Sequence, residues 1–241
     1  MNIAVIFAGG TGQRMNTRTI PKQFLELHGK PILVYTLEQF QKCDAIHGVV
    51  LVMLSEWISF SQSLIDKYRI TKAQTVIPGG STGQDSIFRG VKRSAELYPH
   101  DSIVLIHDGV RPLIDGKTIE ACIECAKKNG NAITVSPAVE TVALLNQDGR
   151  VGKILPRNEC QMAKAPQCFR LGELYAAHLN AQKEGKLDFI DSASLMQYYG
   201  HKLFTVSGAP ENIKITTPCD FYIFRAILDA RENSQIFGAA Y

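Results

Sequence analysis

The chain has 241 residues, 45% of them hydrophobic and 20% charged, with 26 Lys and Arg against 23 Asp and Glu for a formal charge of +3. These are ordinary globular values that exclude disordered and fibrous classes, and the charge is too mild for a dedicated nucleic-acid binder. No apolar run reaches the ~18 residues of a membrane span, no signal-peptide pattern opens the chain, and six cysteines at this length make no disulfide scaffold, so a soluble, reduced, cytoplasmic protein is expected.

Residues 3–7 form a short, continuous apolar run that stops at Ala8-Gly9-Gly10-Thr11-Gly12, the pattern of a buried parallel strand. Apolar positions then recur at helical spacing through Ile32, Leu33, Leu37 and Phe40. Residues 49–54 read as a second buried strand and 57–68 as a helix. Residues 75–78 form a short strand that leads into Gly79-Gly80, and a helix follows over about 85–98. Residues 103–106 are a fourth strand and 118–128 the next helix. This alternation predicts one α/β domain over residues 1–241, with a Rossmann-like, mostly parallel sheet and helices on both faces.

The rhythm then breaks. Residues 141–146 and 150–155 are strand-like runs around Asn146-Gln147-Asp148-Gly149, and Asp-Gly in that setting signals a hairpin. A β-arm over about 137–158 is expected, and its Val142, Leu144, Val151, Ile154 and Leu155 need a partner. Helices follow over about 171–184 and 192–199, then a strand over 202–206. A last helix starts at Thr217-Pro218, with Asp220 at its positive end.

Chemistry concentrates in the loops. In Ala8-Gly9-Gly10-Thr11-Gly12-Gln13-Arg14-Met15, glycines at a strand end allow close backbone approach to a phosphate or base. Met15 spoils the dinucleotide fingerprint, and no Gly-Lys-Ser/Thr completes a P-loop. Arg14, Arg18 and Lys22 put cations around the glycines, which suits a polyphosphate and argues against a nicotinamide oxidoreductase. Asp108 follows a buried strand, where open α/β sheets bind ligands. A carboxylate there can hold a metal or a ribose hydroxyl, or simply pair with Arg111. Ser86 fits a ligand hydroxyl contact or a helix N-cap. Cys122 and Cys125 form a lone C-x-x-C inside a helical pattern and read as structural thiols.

The order of A-G-G-T-G-x-R-M, P-K-Q-F-L, Gly79-Gly80 with Asp85-Ser86, His107-Asp108-x-x-Arg111-Pro112, Pro156-Arg157-Asn158, Pro166-Gln167 and Asn212-Ile213-Lys214-Ile215-Thr216 resembles the sugar-alcohol-phosphate cytidylyltransferases. The resemblance implies a nucleotide-diphospho-sugar-transferase type of fold and attack of a substrate phosphate on the α-phosphorus of CTP. It implies Arg14, Lys22, Arg157 and Lys214 as catalytic cations. CTP contacts are implied from Phe7, Ala8, Gly9, Gly10, Gly79, Gly80, Ser81, Asp85, Ser86, Asp108 and Gly109. Substrate contacts are implied from Asp108, Arg111, Thr141, Arg157 and Lys214, with Thr141 and Arg157 delivered across a homodimer by exchanged arms. Mg²⁺ is implied, bound mainly through the CTP phosphates, with Asp108 as a candidate ligand. The family commonly has arginine where this chain has Gly83 and threonine where it has Ala165. Those departures leave a non-catalytic nucleotide-binding protein as an alternative.

Two segments bear on the substrate. Methylerythritol enzymes tend to show H-D-A-A-R-P and a basic residue before the Asp-Thr of the arm. Here the residues are His107-Asp108-Gly109-Val110-Arg111-Pro112 and Ala138-Val139-Glu140-Thr141. Together with Gln23-Phe24-Leu25-Glu26-Leu27 and Asn212 to Thr217, they resemble the ribitol 5-phosphate branch, which would give CDP-ribitol. The alternative substrate is 2-C-methyl-D-erythritol 4-phosphate.

Overall fold

The computed structural model of the chain describes residues 1–9 and 20–237. In chain order its strands are β1 (Asn2–Ala8), β2 (Glu26–Leu27), β3 (Lys30–Pro31), β4 (Gly48–Met53), β5 (Thr75–Pro78), β6 (Ile103–Asp108), β7 (Asn131–Pro137), β8 (Ala143–Leu145), β9 (Val151–Ile154), β10 (Gln161–Arg170) and β11 (Thr205–Ser207). The helices are α1 (Ile32–Lys42), α2 (Ile58–Lys67), α3 (Gly83–Leu97), α4 (Gly116–Asn129), α5 (Leu171–Lys183), α6 (Ser192–Tyr198) and α7 (Pro218–Phe237). Seven strands make one sheet in the order β11-β7-β10-β6-β1-β4-β5.

β1, β4, β5 and β6 run parallel to their neighbours in this group, as the apolar runs predict, and β11 is parallel to β7. β10 is antiparallel to both β6 and β7. The apolar patterns do not reveal β7 and β10. β7 buries Asn131, Thr134 and Ser136 among its apolar residues, which blurs its signal. β10 carries Lys164 and Pro166, and a proline normally argues against a strand. Its pairing with β7 shifts register between Ala163 and Gln167, so the proline sits in an irregularity of the ladder.

The two faces of the sheet follow from alternation along each strand. Ala4, Ile6 and Ala8 pack on one face with Leu33, Leu37 and Phe40 of α1, Ile65 of α2 and Ile123 of α4. Ile3 and Val5 pack on the other with Ile87 and Val91 of α3, Leu174 of α5 and Leu195 of α6. Full burial of each Val, Leu, Ile or Phe side chain among these contributes about 1.5–3 kcal/mol. A smaller cluster joins Phe224 of α7 to Val110, Leu113 and Ile215, and it anchors the segments that follow β6 and precede α7. Asp220 caps that helix by accepting from the backbone and hydroxyls of Thr216 and Thr217.

The arm is present, with shorter strands than the sequence suggests. β8 and β9 pair antiparallel, and Gly149 turns between them at φ +81°. Leu144, Leu145, Val151 and Ile154 are 50%, 65%, 59% and 62% exposed, while Val142 and Leu155 are half-buried. Among the described residues no helix is long and apolar enough to cross a membrane. The six cysteines are free thiols, and the buried Cys122 Sγ lies 3.3 Å from Thr134 Oγ1.

Candidate active site

In register, Ala8 stands beside Met53, Met53 beside Pro78, and Phe7 beside Asp108, so the carboxyl ends of β1, β4, β5 and β6 form one edge. The loops that leave this edge carry most of the candidate residues.

Gly9 follows β1, and a Cβ there would stand 3.4 Å from Ser86 Oγ, so the first and second glycine loops meet. The buried Gln23 amide donates to Ala8 O at 2.6 Å. That bond ties the turn Lys22–Phe24 to the end of β1, and Phe24 packs on Trp57 and Phe60 beneath it. The half-buried Lys22 is thereby anchored beside the glycine loop. Gln23 lies inside the quoted motif, yet its role as the anchor shows only in three dimensions. Gly10 and Arg14 lie outside the described residues, as do Gly12, Met15 and Arg18.

The second loop is shaped by its own side chains. Ser86 Oγ accepts from Gly80 N at 3.0 Å and donates to Thr82 O at 2.9 Å. Asp85 accepts from Ser81 N at 3.1 Å, and Arg89 braces both Asp85 and the Gly79 carbonyl. A Cβ on Gly80 would collide with Asp85, so glycine is required by this close approach. Thr82 is the N-cap, accepting from Asp85 N at 3.1 Å. The helix therefore starts at Gly83 instead of 85, and Ser86 is not the cap.

Asp108 is the electrostatic centre. Lys214 Nζ lies 2.6 Å from its Oδ1, and Arg111 Nε lies 2.7 Å from its Oδ2. Burial pushes the Asp108 carboxyl up, but Lys214 and Arg111 together outweigh it and hold the group at about 2. It is a fixed anion, and the simple pairing with Arg111 is one of its roles. His107 points to the opposite face, against Phe40, and burial drives it down to about 4. Both groups are therefore unprotonated and only weakly basic near neutral pH. Gly109 is needed just here, because a Cβ would stand 2.7 Å from the Ala8 Cβ.

Lys214 reaches Asp108 because its segment is tied down on both sides. Ile215 N donates to Val110 O at 2.9 Å, Arg111 Nη1 donates to Asn212 O at 2.9 Å, and Asn212 Nδ2 donates to Ala165 O at 2.7 Å.

A cavity of about 290 Å³ opens beside these groups, lined by Phe7, Asp108, Arg111 and Lys214 among the residues expected from the sequence. Gly83 and Ala165, the two departures from the family pattern, line it as well, and a Cβ on Gly83 would meet nothing within 4 Å. Lys164 and Ser192 also line it, and the sequence did not single them out. Lys164 lies in the irregular stretch of β10, where no periodicity exposes it. Thr141 and Arg157 are elsewhere: both are exposed on the arm, and Arg157 Nη1 donates to Val139 O at 3.2 Å.

Asp108 is the one carboxylate suggested as a metal ligand, and both its oxygens are already engaged by cations. Among the described residues no three His, Cys, Asp or Glu side chains converge. These donors do not make a protein-built metal site, but they are compatible with Mg²⁺ whose ligands are nucleotide phosphates and water.

Comparison with known proteins, by sequence and by fold, assigns the chain to a family. The chain is 49% identical over 238 residues to a ribitol-5-phosphate cytidylyltransferase of Streptococcus agalactiae, covering 99% of each chain. It is 37% identical over 235 residues to a 2-C-methyl-D-erythritol 4-phosphate cytidylyltransferase of Clostridium acetobutylicum, covering 97% of this chain and 99% of that one. A crystal structure of 4-diphosphocytidyl-2C-methyl-D-erythritol synthase from Anaerococcus prevotii superposes with a TM-score of 0.81 at 27% identity, covering 95% of this chain and 96% of that one. Residues 2–230 match the family model described as IspD, 2-C-methyl-D-erythritol 4-phosphate cytidylyltransferase, and the chain belongs to that family of cytidylyltransferases.

Proposed function

We propose that this protein transfers the cytidylyl group of CTP to ribitol 5-phosphate, giving CDP-ribitol and pyrophosphate. The observation that carries the reaction class is the cation pair of Lys214 and Arg111 on Asp108, ionised near neutral pH, at the sheet edge where two glycine loops meet. The choice of acceptor is supported by the higher similarity to relatives named for ribitol 5-phosphate.

The chemistry suits these residues. A phosphate monoester is largely ionised near neutral pH, so its oxygen needs no general base. That oxygen forms a bond to the α-phosphorus of CTP, the bond from the α-phosphorus to the bridging oxygen breaks, and pyrophosphate leaves with the electron pair. The barrier is repulsion between two polyanions and the charge that builds on the equatorial oxygens. Lys214 and Arg111, held by Asp108, orient the acceptor phosphate for in-line attack. Lys22 and Arg14 meet the charge on the transferring phosphoryl group. Mg²⁺, if bound, would be held mainly by the CTP phosphates and would add further charge neutralisation. The test is kcat/KM for ribitol 5-phosphate against 2-C-methyl-D-erythritol 4-phosphate, each with CTP and Mg²⁺. A clear preference for ribitol 5-phosphate is expected. Preference for methylerythritol 4-phosphate overturns the acceptor, and no pyrophosphate release with either favours the non-catalytic alternative.

The arm extends the reading to a homodimer. A two-stranded ribbon that exposes Leu144, Leu145, Val151 and Ile154 is marginal alone and calls for cover. A twofold contact between arms provides it, and carries Thr141 and Arg157 to the acceptor phosphate in the partner's site. Lys22→Ala and Arg157→Ala should each be inactive, yet subunit exchange between them should restore activity. A mixed dimer concentrates both changes in one site and leaves the other intact, so an equal mixture should recover about one quarter of wild-type activity. No recovery in verified mixed dimers would count against a shared site.

A further inference from the structure

The two walls of the cavity beside Asp108 differ in electrostatic character. One wall, from the end of β6 and the segment before α7, sets two cations, Arg111 and Lys214, around one carboxylate. The other is made by the irregular stretch of β10 and the turn into α6. It sets one cation, Lys164, against one carboxylate, Asp191, and adds the hydroxyl of Ser192. The first wall suits a phosphate. The second carries no net charge but is rich in hydrogen-bonding groups, which suits a neutral, polyhydroxylated chain.

Both candidate groups on the second wall have bonding capacity to spare. Ser192 is 2% exposed, and its Oγ has no hydrogen-bond partner among the described residues. A buried hydroxyl normally finds a partner, so an unmatched one that lines a cavity points to a ligand. Lys164 Nζ donates to Pro210 O at 2.7 Å and, more weakly, to Ala209 O at 3.5 Å. An ammonium has three N–H groups, which leaves one for a ligand. The loop that takes those bonds also takes the Arg111 bond through Asn212 O, so the two walls are tied to one another.

The neighbours of this pair are, by contrast, satisfied. Gln167 Nε2 donates to Asp191 Oδ2 at 2.8 Å, and its Oε1 accepts from Ala193 N at 2.9 Å. Asp191 Oδ1 accepts from Ser194 N at 2.8 Å as the cap of α6. Gln167 and Asp191 therefore act as a rigid brace between β10 and α6, and they hold Ser192 in place.

We infer that Lys164 and Ser192 recognise hydroxyl groups of the acceptor's alditol chain and set which sugar-alcohol phosphate is used. This rests on the reading of the protein as an alditol-phosphate cytidylyltransferase. A chain hydroxyl can accept from Lys164 Nζ and exchange a hydrogen bond with Ser192 Oγ. Methylerythritol 4-phosphate keeps the hydroxyl on its branched carbon but has a shorter chain with one hydroxyl fewer, which leaves a polar group of this wall desolvated and unpaired, the circumstance in which a polar site discriminates most strongly.

The test uses Ser192→Ala, Lys164→Met and Lys164→Gln in the full chain, with steady-state kinetics for ribitol 5-phosphate, methylerythritol 4-phosphate and CTP. Ser192→Ala and Lys164→Met should each lower kcat/KM for ribitol 5-phosphate by ~10-fold or more, mainly through KM. Both should lower the ratio of ribitol to methylerythritol turnover and leave KM for CTP within about twofold. Lys164→Gln, which keeps a donor, should recover part of the loss. If Lys164→Met does not fold, Ser192→Ala decides alone, because it removes a single oxygen. Equal losses with both acceptors, or unchanged kinetics with ribitol 5-phosphate, overturn the inference. The wild-type protein reports separately on the underlying reading: failure to use ribitol 5-phosphate overturns that reading, and the inference with it.

Discussion

Lys214→Ala should leave a folded protein and lower kcat/KM for the sugar-alcohol phosphate by ~10²-fold or more, the scale of loss when an acceptor is no longer held in line for attack. The expectation follows from its position. Lys214 Nζ lies 2.6 Å from a carboxylate that is 8% exposed, while its own side chain is 41% exposed. The lysine thus faces the cavity with one donor spent on Asp108 and two left for an acceptor phosphate. Folding should survive, because the backbone bond from Ile215 to Val110 and the side-chain bond from Asn212 to Ala165 do not involve the lysine. Asp108 also retains Arg111 at 2.7 Å. Pyrophosphate release and a thermal melt on the same sample check both halves. Near-normal turnover would remove Lys214 from the mechanism, and an unfolded variant would make it structural.

Lys22→Ala and Arg14→Ala should each reduce turnover by at least ~10²-fold, again with the fold intact. Lys22 is held next to the first glycine loop by the bond from Gln23 to Ala8 O and by the packing of Phe24 against Trp57 and Phe60. Those anchors lie in the residues after Lys22, so truncating its side chain should leave them in place. Arg14 enters on the sequence alone, as the cation that ends the glycine run. The readout is kcat with saturating CTP and acceptor, together with circular dichroism. If either variant turns over at a near wild-type rate, the assignment of that cation to the transferring phosphoryl group fails.

Much of this protein was legible before its structure. The central strands β1, β4 and β6 are buried, so each reads as an apolar run, while β5, a partly buried edge strand, is marked by its exit into Gly79-Gly80. The arm announced itself through Asp148-Gly149 between two strand-like runs, because the turn demands a residue at positive φ. The cap of α7 was legible because Thr217, Pro218 and Asp220 act within one turn.

What only the tertiary structure decided is non-local. β7 and β10 owe their place to neighbours that cover polar residues and tolerate Pro166 in an irregular ladder, which no local pattern encodes. Thr82 rather than Ser86 caps α3, because the loop folds back so that Ser86 can hold Gly80 instead. The approach of Lys214 to Asp108, 106 residues apart by their numbering, depends on the segment from Asn212 to Ile215 bonding to β10 and to Val110. Lys164 and Ser192 share a cavity only because Gln167 braces β10 against α6. Periodicity and turn chemistry act over a few neighbouring residues. The meeting of distant side chains depends on the free energy of the whole packed sheet, and there the local code ends.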